Sequence, residues 1–186
     1  MTMQDNAYLK CINPQCGLEY QITSINVQCE KGHLLDVKYK NTPSDNLKEL
    51  FYKRRNSQGN IFDESGVWRF RELLNFCQID TENIEECSKY LVSLDGAEGR
   101  QSKPYQMSKV AKFIKIPNEN LWLQPEGYNP SGSFKDNGMA TAVTHAKMIG
   151  AKRIVCASTG NTSASAGMFA ANEGIECDVY IPAGQI

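Results

Sequence analysis

The sequence has no surplus of basic residues, no long apolar run and no even set of cysteines, and each shortage removes a class of protein. Lysine and arginine number 20 against 21 aspartates and glutamates, so no bulk positive field gathers nucleic acid or an anionic membrane. Apolar runs such as Ile154-Val155-Cys156-Ala157 fall far short of the roughly 20 residues that span a bilayer. The opening Met1-Thr2-Met3-Gln4-Asp5 lacks the basic stretch and apolar stretch of a leader. A soluble, cytoplasmic protein that binds neither nucleic acid nor membrane is expected. The 7 cysteines are an odd count, and Cys77, Cys87, Cys156 and Cys177 sit in ordinary helical or strand patterns, where free thiols read as small buried hydrophobes rather than a disulfide framework. Internal repeats and low-complexity runs are also missing. What is there is globular: 186 residues, 41% hydrophobic and 22% charged, enough for one full domain or for a small module plus part of a larger one.

Residues 1–41 form a distinct module. Cys11-Ile12-Asn13-Pro14-Gln15-Cys16-Gly17 sets two cysteines around one turn, and Cys29-Glu30-Lys31-Gly32-His33 sets a cysteine and a histidine around another, with short strand patterns between and after. The spacing resembles a zinc ribbon, whose two turns bring Cys11, Cys16, Cys29 and His33 to the corners of a tetrahedron; so small a unit lacks the core to fold without such a staple. The first gap is longer than the usual knuckle, and His33 reaches the site only if its turn re-forms. A ribbon that has lost its metal and packs on its neighbour is the alternative.

Residues 42–95 read as a helical linker and a first strand. Thr42-Pro43 is a plausible helix start, with Leu47, Leu50 and Phe51 on one face. A second amphipathic stretch at 65–74 offers Trp68, Phe70, Leu73 and Leu74 as core contacts. Residues 90–94 read as a strand and 95–104 as a loop.

In residues 96–186, Met139, Ala142, Val143, Ala146 and Ile149 repeat at helical spacing and stop at Gly150, a residue suited to a left-handed helix end. An apolar strand at 153–157 leads into Ser158-Thr159-Gly160-Asn161-Thr162-Ser163, a small-residue helix at 164–171, and a second strand at 177–181. Helix, strand, polar loop, helix, strand is the grammar of a parallel α/β sheet, which holds ligands at the carboxyl ends of its strands. Two polar loops abut helix starts: Asn129-Pro130-Ser131-Gly132-Ser133-Phe134-Lys135-Asp136 and residues 158–163. Unpaired N–H groups and hydroxyls there suit anionic groups of a small molecule, although ordinary capping gives the same pattern. Lys135, set in a Gly/Ser turn and flanked by Phe134, is a candidate for partial desolvation, which favours the neutral amine that attacks an aldehyde.

These two loops, their separation and the closing Val179-Tyr180-Ile181-Pro182-Ala183-Gly184 resemble the threonine synthases, within the tryptophan-synthase β-like (fold type II) pyridoxal-phosphate enzymes. The resemblance implies that Lys135 carries pyridoxal 5'-phosphate, that Phe134 and Asn161 contact it, with Asn161 at its phenolic oxygen, and that Ser158, Thr159, Gly160, Asn161 and Thr162 meet the substrate. The implied reaction converts O-phosphohomoserine and water to threonine and phosphate, in a family that tends to form homodimers. Cysteate synthase, threonine dehydratase and a non-catalytic truncated remnant are the alternatives. The chain departs from the family at Asn137 and Gln124, where basic residues are usual, and in the lengthened turn Gly99-Arg100-Gln101-Ser102-Lys103-Pro104. It contains no Gly-Gly pair or GxGxxG for a phosphate-gripping loop. The expectation is an incomplete fold type II domain behind a zinc-ribbon-like module, the N-terminal portion of such an enzyme and inactive alone.

Overall fold

Strands near the N-terminus are short, and two turns with left-handed glycines, Gly17 and Gly32, separate them. The computed structural model describes residues 7–40, 46–57, 59–74, 91–94 and 105–184. Strands β1 (Ala7–Cys11), β2 (Glu19–Gln21) and β3 (Leu35–Tyr39) form an antiparallel sheet in the order β2-β1-β3. Leu9 faces Tyr20 on one side and Val37 on the other. Gly17 and Gly32 take positive φ, 66° and 77°, at the ends of the two turns, where a residue with a Cβ would be strained.

Helix α1 (Leu47–Arg55) confirms a helix behind the polar linker. Its proposed start at Thr42-Pro43 lies outside the described residues. Asn60 then caps the short helix α2 (Ile61–Glu64), its Oδ1 accepting from the Phe62 and Asp63 N–H groups. Arg54 is buried and forks onto Glu72, donating also to the Arg69 carbonyl at 2.8 Å. This pins α1 to the following segment. The amphipathic stretch is a 3₁₀ turn over Trp68–Leu73 rather than a regular α-helix, kinked at Phe70. Trp68 is fully buried as expected, but Phe70 and Leu73 are exposed. Three residues per turn cannot keep all four apolar side chains on one face, and Phe70 instead stacks edge-on against Phe51 at 4.9 Å.

The strand expected at 90–94 is corrected. Tyr90 lies outside the described residues, and Leu91, Val92, Ser93 and Leu94 form no strand among the described residues, with a bend at Leu94. Side chains take over the backbone bonds: the Val92 N–H donates to Thr144 Oγ1 at 2.8 Å and its carbonyl accepts from Trp68 Nε1 at 2.8 Å. With both groups satisfied, a buried chain needs no ladder. The loop expected at 95–104, like Cys77 and Cys87, lies outside the described residues.

The hairpin strands β4 (Tyr105–Gln106) and β5 (Trp122–Leu123) bracket helix α3 (Ser108–Ile114). Helix α4 (Lys135–Met148) ends before Gly150, which takes φ 71°. Strand β6 (Arg153–Ala157), helix α5 (Asn161–Asn172) and strand β7 (Glu176–Tyr180) follow, and β6 pairs with β7 in parallel, Arg153 opposite Glu176 and Ala157 opposite Tyr180. Helix α5 starts at Asn161, so half of the expected polar loop is its first turn. One core joins Trp68, Val92, Ala140, Val143 and Phe169. Cys156 and Cys177 are half-buried, and none of the described cysteines is in a disulfide. Among the described residues no helix is long and apolar enough to cross a membrane. The result is a mixed α/β chain with a small N-terminal sheet.

Candidate active site and metal centre

The Lys135 turn is built by short-range bonds. The Gly132 N–H donates to the Asn129 carbonyl at 2.7 Å, with Gly132 at φ 78°, and the Asn129 side chain donates to the Ser133 carbonyl at 3.0 Å. Ser133 Oγ accepts from the Lys135 N–H at 3.0 Å. Lys135 opens α4, half-buried, with Nζ 4.8 Å from the centre of the Phe134 ring. That ring is itself exposed, so it covers one side of the amine without closing it from water.

Asp136, the next residue, is fully buried. It accepts the Ser131 N–H at 2.7 Å and the hydroxyls of Ser131 and Ser165. Ser165 lies on α5, so this carboxylate ties the first turn of α4 to α5 near its start. Two helix N-termini therefore stand side by side at the carboxyl end of the parallel pair, where their partial positive charges add. Gly160 precedes α5 without a side-chain cap among the described residues. The leading N–H groups of that helix are available to an anion. Ser158 Oγ accepts from the Gly160 N–H at 3.3 Å, while Thr159, Gly160 and Asn161 are exposed and Thr162 half-buried. Asn137 and Gln124, the two departures from the family pattern, share one partner: their amides donate to Glu126 at 3.0 and 3.3 Å. The third departure, at 99–104, lies outside the described residues.

This donor set fits the aldehyde end of pyridoxal phosphate. A primary amine stands at a helix start next to a second helix start rich in hydroxyls; no carboxylate lies between Pro130 and Lys135, and that of Asp136 is taken by Ser131 and Ser165.

At the N-terminus Cys11, Cys16, Cys29 and His33 converge, their ligand atoms all within 4.8 Å of one another. The second turn does re-form: the Gly32 N–H donates to the Cys29 carbonyl and the Cys29 N–H to the His33 carbonyl, both at 2.8 Å. His33 Nδ1 then sits 3.6 Å from Cys29 Sγ, and Cys16 Sγ lies 3.9 Å from Cys29 Sγ. Tetrahedral zinc, with Zn–S near 2.3 Å and Zn–N near 2.0–2.1 Å, requires edges of about 3.8 Å (S···S) and about 3.6 Å (S···N). The donors fit. Asn13 spans the first turn, its side-chain nitrogen 3.2 Å from His33 Nε2 and its backbone N–H donating to Cys11 Sγ at 3.4 Å. Burial pushes the Cys11 thiol up. Burial acts the same way on Cys29, but the His33 and Lys31 N–H groups, Cys11 and the His33 ring outweigh it and bring that thiol to about 6, toward the thiolate a metal takes.

The sequence pattern assigns no role to Asp136 or to Ser165, which lies within the small-residue helix. The available signal was an aspartate closing a Gly/Ser turn at a helix start. Nothing local marked Glu126 as the partner of Asn137.

Residues 103–185 match the family described as pyridoxal-phosphate dependent enzyme. Over 178 residues, 95% of the chain, it is 34% identical to a threonine synthase of Methanocaldococcus jannaschii, 38% of which is covered. It is 33% identical over 96% of its length to a threonine synthase of Methanosarcina acetivorans, again with 38% of that protein covered. A 66-residue stretch is 59% identical to the threonine synthase of Mycobacterium leprae, covering 36% of the chain and 18% of that protein. The chain thus spans about two fifths of the length of the long-matching relatives, and its resemblance is to part of a threonine synthase within the pyridoxal-phosphate dependent enzymes.

Proposed function

We propose that the protein acts as the N-terminal portion of a threonine synthase, in the pyridoxal-phosphate-dependent conversion of O-phosphohomoserine and water to threonine and phosphate. The observation that carries this reading is the Asp136–Ser165 bond, which ties the lysine turn to the helix that follows the Ser158–Thr162 loop. In this reading Lys135 holds the cofactor through its amine, Phe134 covers one side of it, and Asn161 meets its phenolic oxygen. When bound, pyridoxal phosphate supplies an electron sink for charge developing at the substrate's Cα and Cβ. Lys135 Nζ, once released from the cofactor, would move protons at those carbons, which suits an amine held in place by a helix start. Ser158, Thr159 and Thr162 hydroxyls, with Gly160 and the leading N–H groups of α5 from Asn161, bind the substrate's anionic groups and stabilise developing charge without reorganising.

The Cys11, Cys16, Cys29 and His33 cluster is proposed to hold zinc, the reading supported by its donor spacing. Residues 1–41 then serve as a metal-held ribbon, 42–95 as a linker packed into the core through Trp68 and Val92, and 96–186 as the first part of the cofactor domain. A cytoplasmic homodimer completes the proposal.

Substrate choice is tested by phosphate release from O-phosphohomoserine against O-phosphoserine, with added cofactor and Lys135→Ala as background. A form that also carries residues for the cofactor phosphate and ring nitrogen is expected to release phosphate from O-phosphohomoserine, and these 186 residues alone are expected to release none above background. Preference for O-phosphoserine, or release that survives loss of the lysine, would overturn the assignment.

A further inference from the structure

The ribbon has little to hold it together besides its four donors. Its buried apolar residues are Ala7, Cys11, Ile22 and Cys29, so half of that small core is the cluster's own thiols. Ile12, Ile25, Val27 and Leu34 face solvent instead. A unit below about 40 residues usually needs a metal, disulfides or a partner to fold, and the described cysteines form no disulfide. The sheet depends directly on the cluster: Cys11 ends β1, its N–H donates to the Leu18 carbonyl at 2.9 Å, and β2 follows at once.

The same strand delivers the ribbon to the cofactor domain. Ile22, directly after β2, is buried, and its carbonyl lies 3.1 Å from His145 Nε2 on α4. An apolar trough of about 350 Å³, lined by Leu9, Ile22, Val37 and His145, surrounds this bond. The seam thus includes a hydrogen bond beside an open trough, with the Tyr39 hydroxyl donating to the Leu73 carbonyl at 3.3 Å as a second point. Packing of this kind does not order the ribbon; the ribbon must arrive ordered for the Ile22 carbonyl to meet His145.

We infer that zinc in the Cys11, Cys16, Cys29 and His33 cluster orders the ribbon and, by fixing the Ile22 carbonyl against His145, anchors the C-terminal half of the helix that Lys135 begins. The inference rests on the zinc reading of the cluster. Zinc here has four protein ligands and no open position, the arrangement of a structural centre rather than a catalytic one. The link to the cofactor lysine is mechanical: His145 lies on the same helix as Lys135, and a fourteen-residue helix fixed at its far end presents its first turn in one orientation.

The test uses the full chain with elemental analysis and amide hydrogen exchange read by mass spectrometry, in three states: as purified, after chelation with reductant, and after zinc is restored. About one zinc per chain is expected. Chelation should speed exchange about tenfold or more in 7–11 and 35–39, and about threefold at 145–149, with both reversed by zinc. His145→Phe should keep its zinc and its ordered ribbon while exchange at 145–149 stops responding to chelation. Iron in place of zinc, or no metal and a ribbon indifferent to chelator, would overturn the zinc reading. Zinc present with a responsive ribbon but an unresponsive 145–149 in the unsubstituted chain would leave the zinc reading standing and overturn the coupling.

Discussion

The ribbon of residues 7–40 and the unit from Lys135 to Tyr180 solve the same problem in opposite ways. Both must hold a few reactive side chains in fixed relation. The ribbon does so with turns and donors: its cluster has as many residues as its buried apolar core, and Ile12, Ile25, Val27 and Leu34 face solvent. The α4-β6-α5-β7 unit does so with packing, setting Val143 and Phe169 against Trp68 and Val92 and then spending one buried carboxylate, Asp136, to align its two helix starts. A site built on turns is legible from spacing but fragile without its ligand. One built on packed helices is sturdy, yet its decisive contacts are remote in sequence.

Metal removal should separate the two regions most sharply. With chelator and reductant, limited proteolysis is expected to cut within residues 8–40 and leave 105–184 intact, because binding free energy is folding free energy in the ribbon alone. Equal loss of both regions on gels would break the comparison. Trp68→Ala is the reciprocal probe. It removes a fully buried ring and the bond from Nε1 to the Val92 carbonyl, and a cost of about 4 kcal/mol in denaturant unfolding is expected, with zinc content unchanged.

Smaller effects sharpen the account of how the core handles polar groups. Asp136→Asn presents an amide N–H to donors that need an acceptor, and a loss of about 2 kcal/mol is expected by thermal unfolding. Ser165→Ala removes only one of those donors and should cost less. Thr144→Val leaves the buried Val92 N–H without its acceptor, for which about 1–2 kcal/mol is expected; no change would mean that this segment finds another partner. The smallest effect is a pH dependence in the ribbon. The Asp36 carboxyl is held below its ordinary value by the hydrogen bond from the Lys38 ammonium and its charge. That pair adds stability fully present above the ordinary carboxylate pKa and lost as pH falls through the lowered one. Both groups are exposed, so Lys38→Ala should change acid unfolding little, and not at all in high salt.

What the sequence made legible follows the same division. The ribbon's donors stood out because cysteine and histidine are rare and their spacing local, and even the awkward Cys29–His33 gap closes through Gly32. Strand β6 and the stop of α4 before Gly150 followed from periodicity and a left-handed glycine. Residues 91–94 misled because an apolar run carries no record of what satisfies its backbone; the acceptor, Thr144, is 52 residues away. Phe70 and Leu73 misled because a 3₁₀ turn and a helix share apolar content but not faces. Ser165 looked like one small residue among many, and only the fold brings it to Asp136 across 29 positions.

The central claim is that Lys135 is the lysine that holds the cofactor. Pyridoxal phosphate added to the protein, reduction with borohydride and peptide mass spectrometry test it directly. The account predicts a pyridoxyl adduct on Lys135, absent from Lys147, which is paired with Glu173 at 2.7 Å, and from the exposed Lys152. An adduct on Lys147 or Lys152 with none on Lys135 would contradict it.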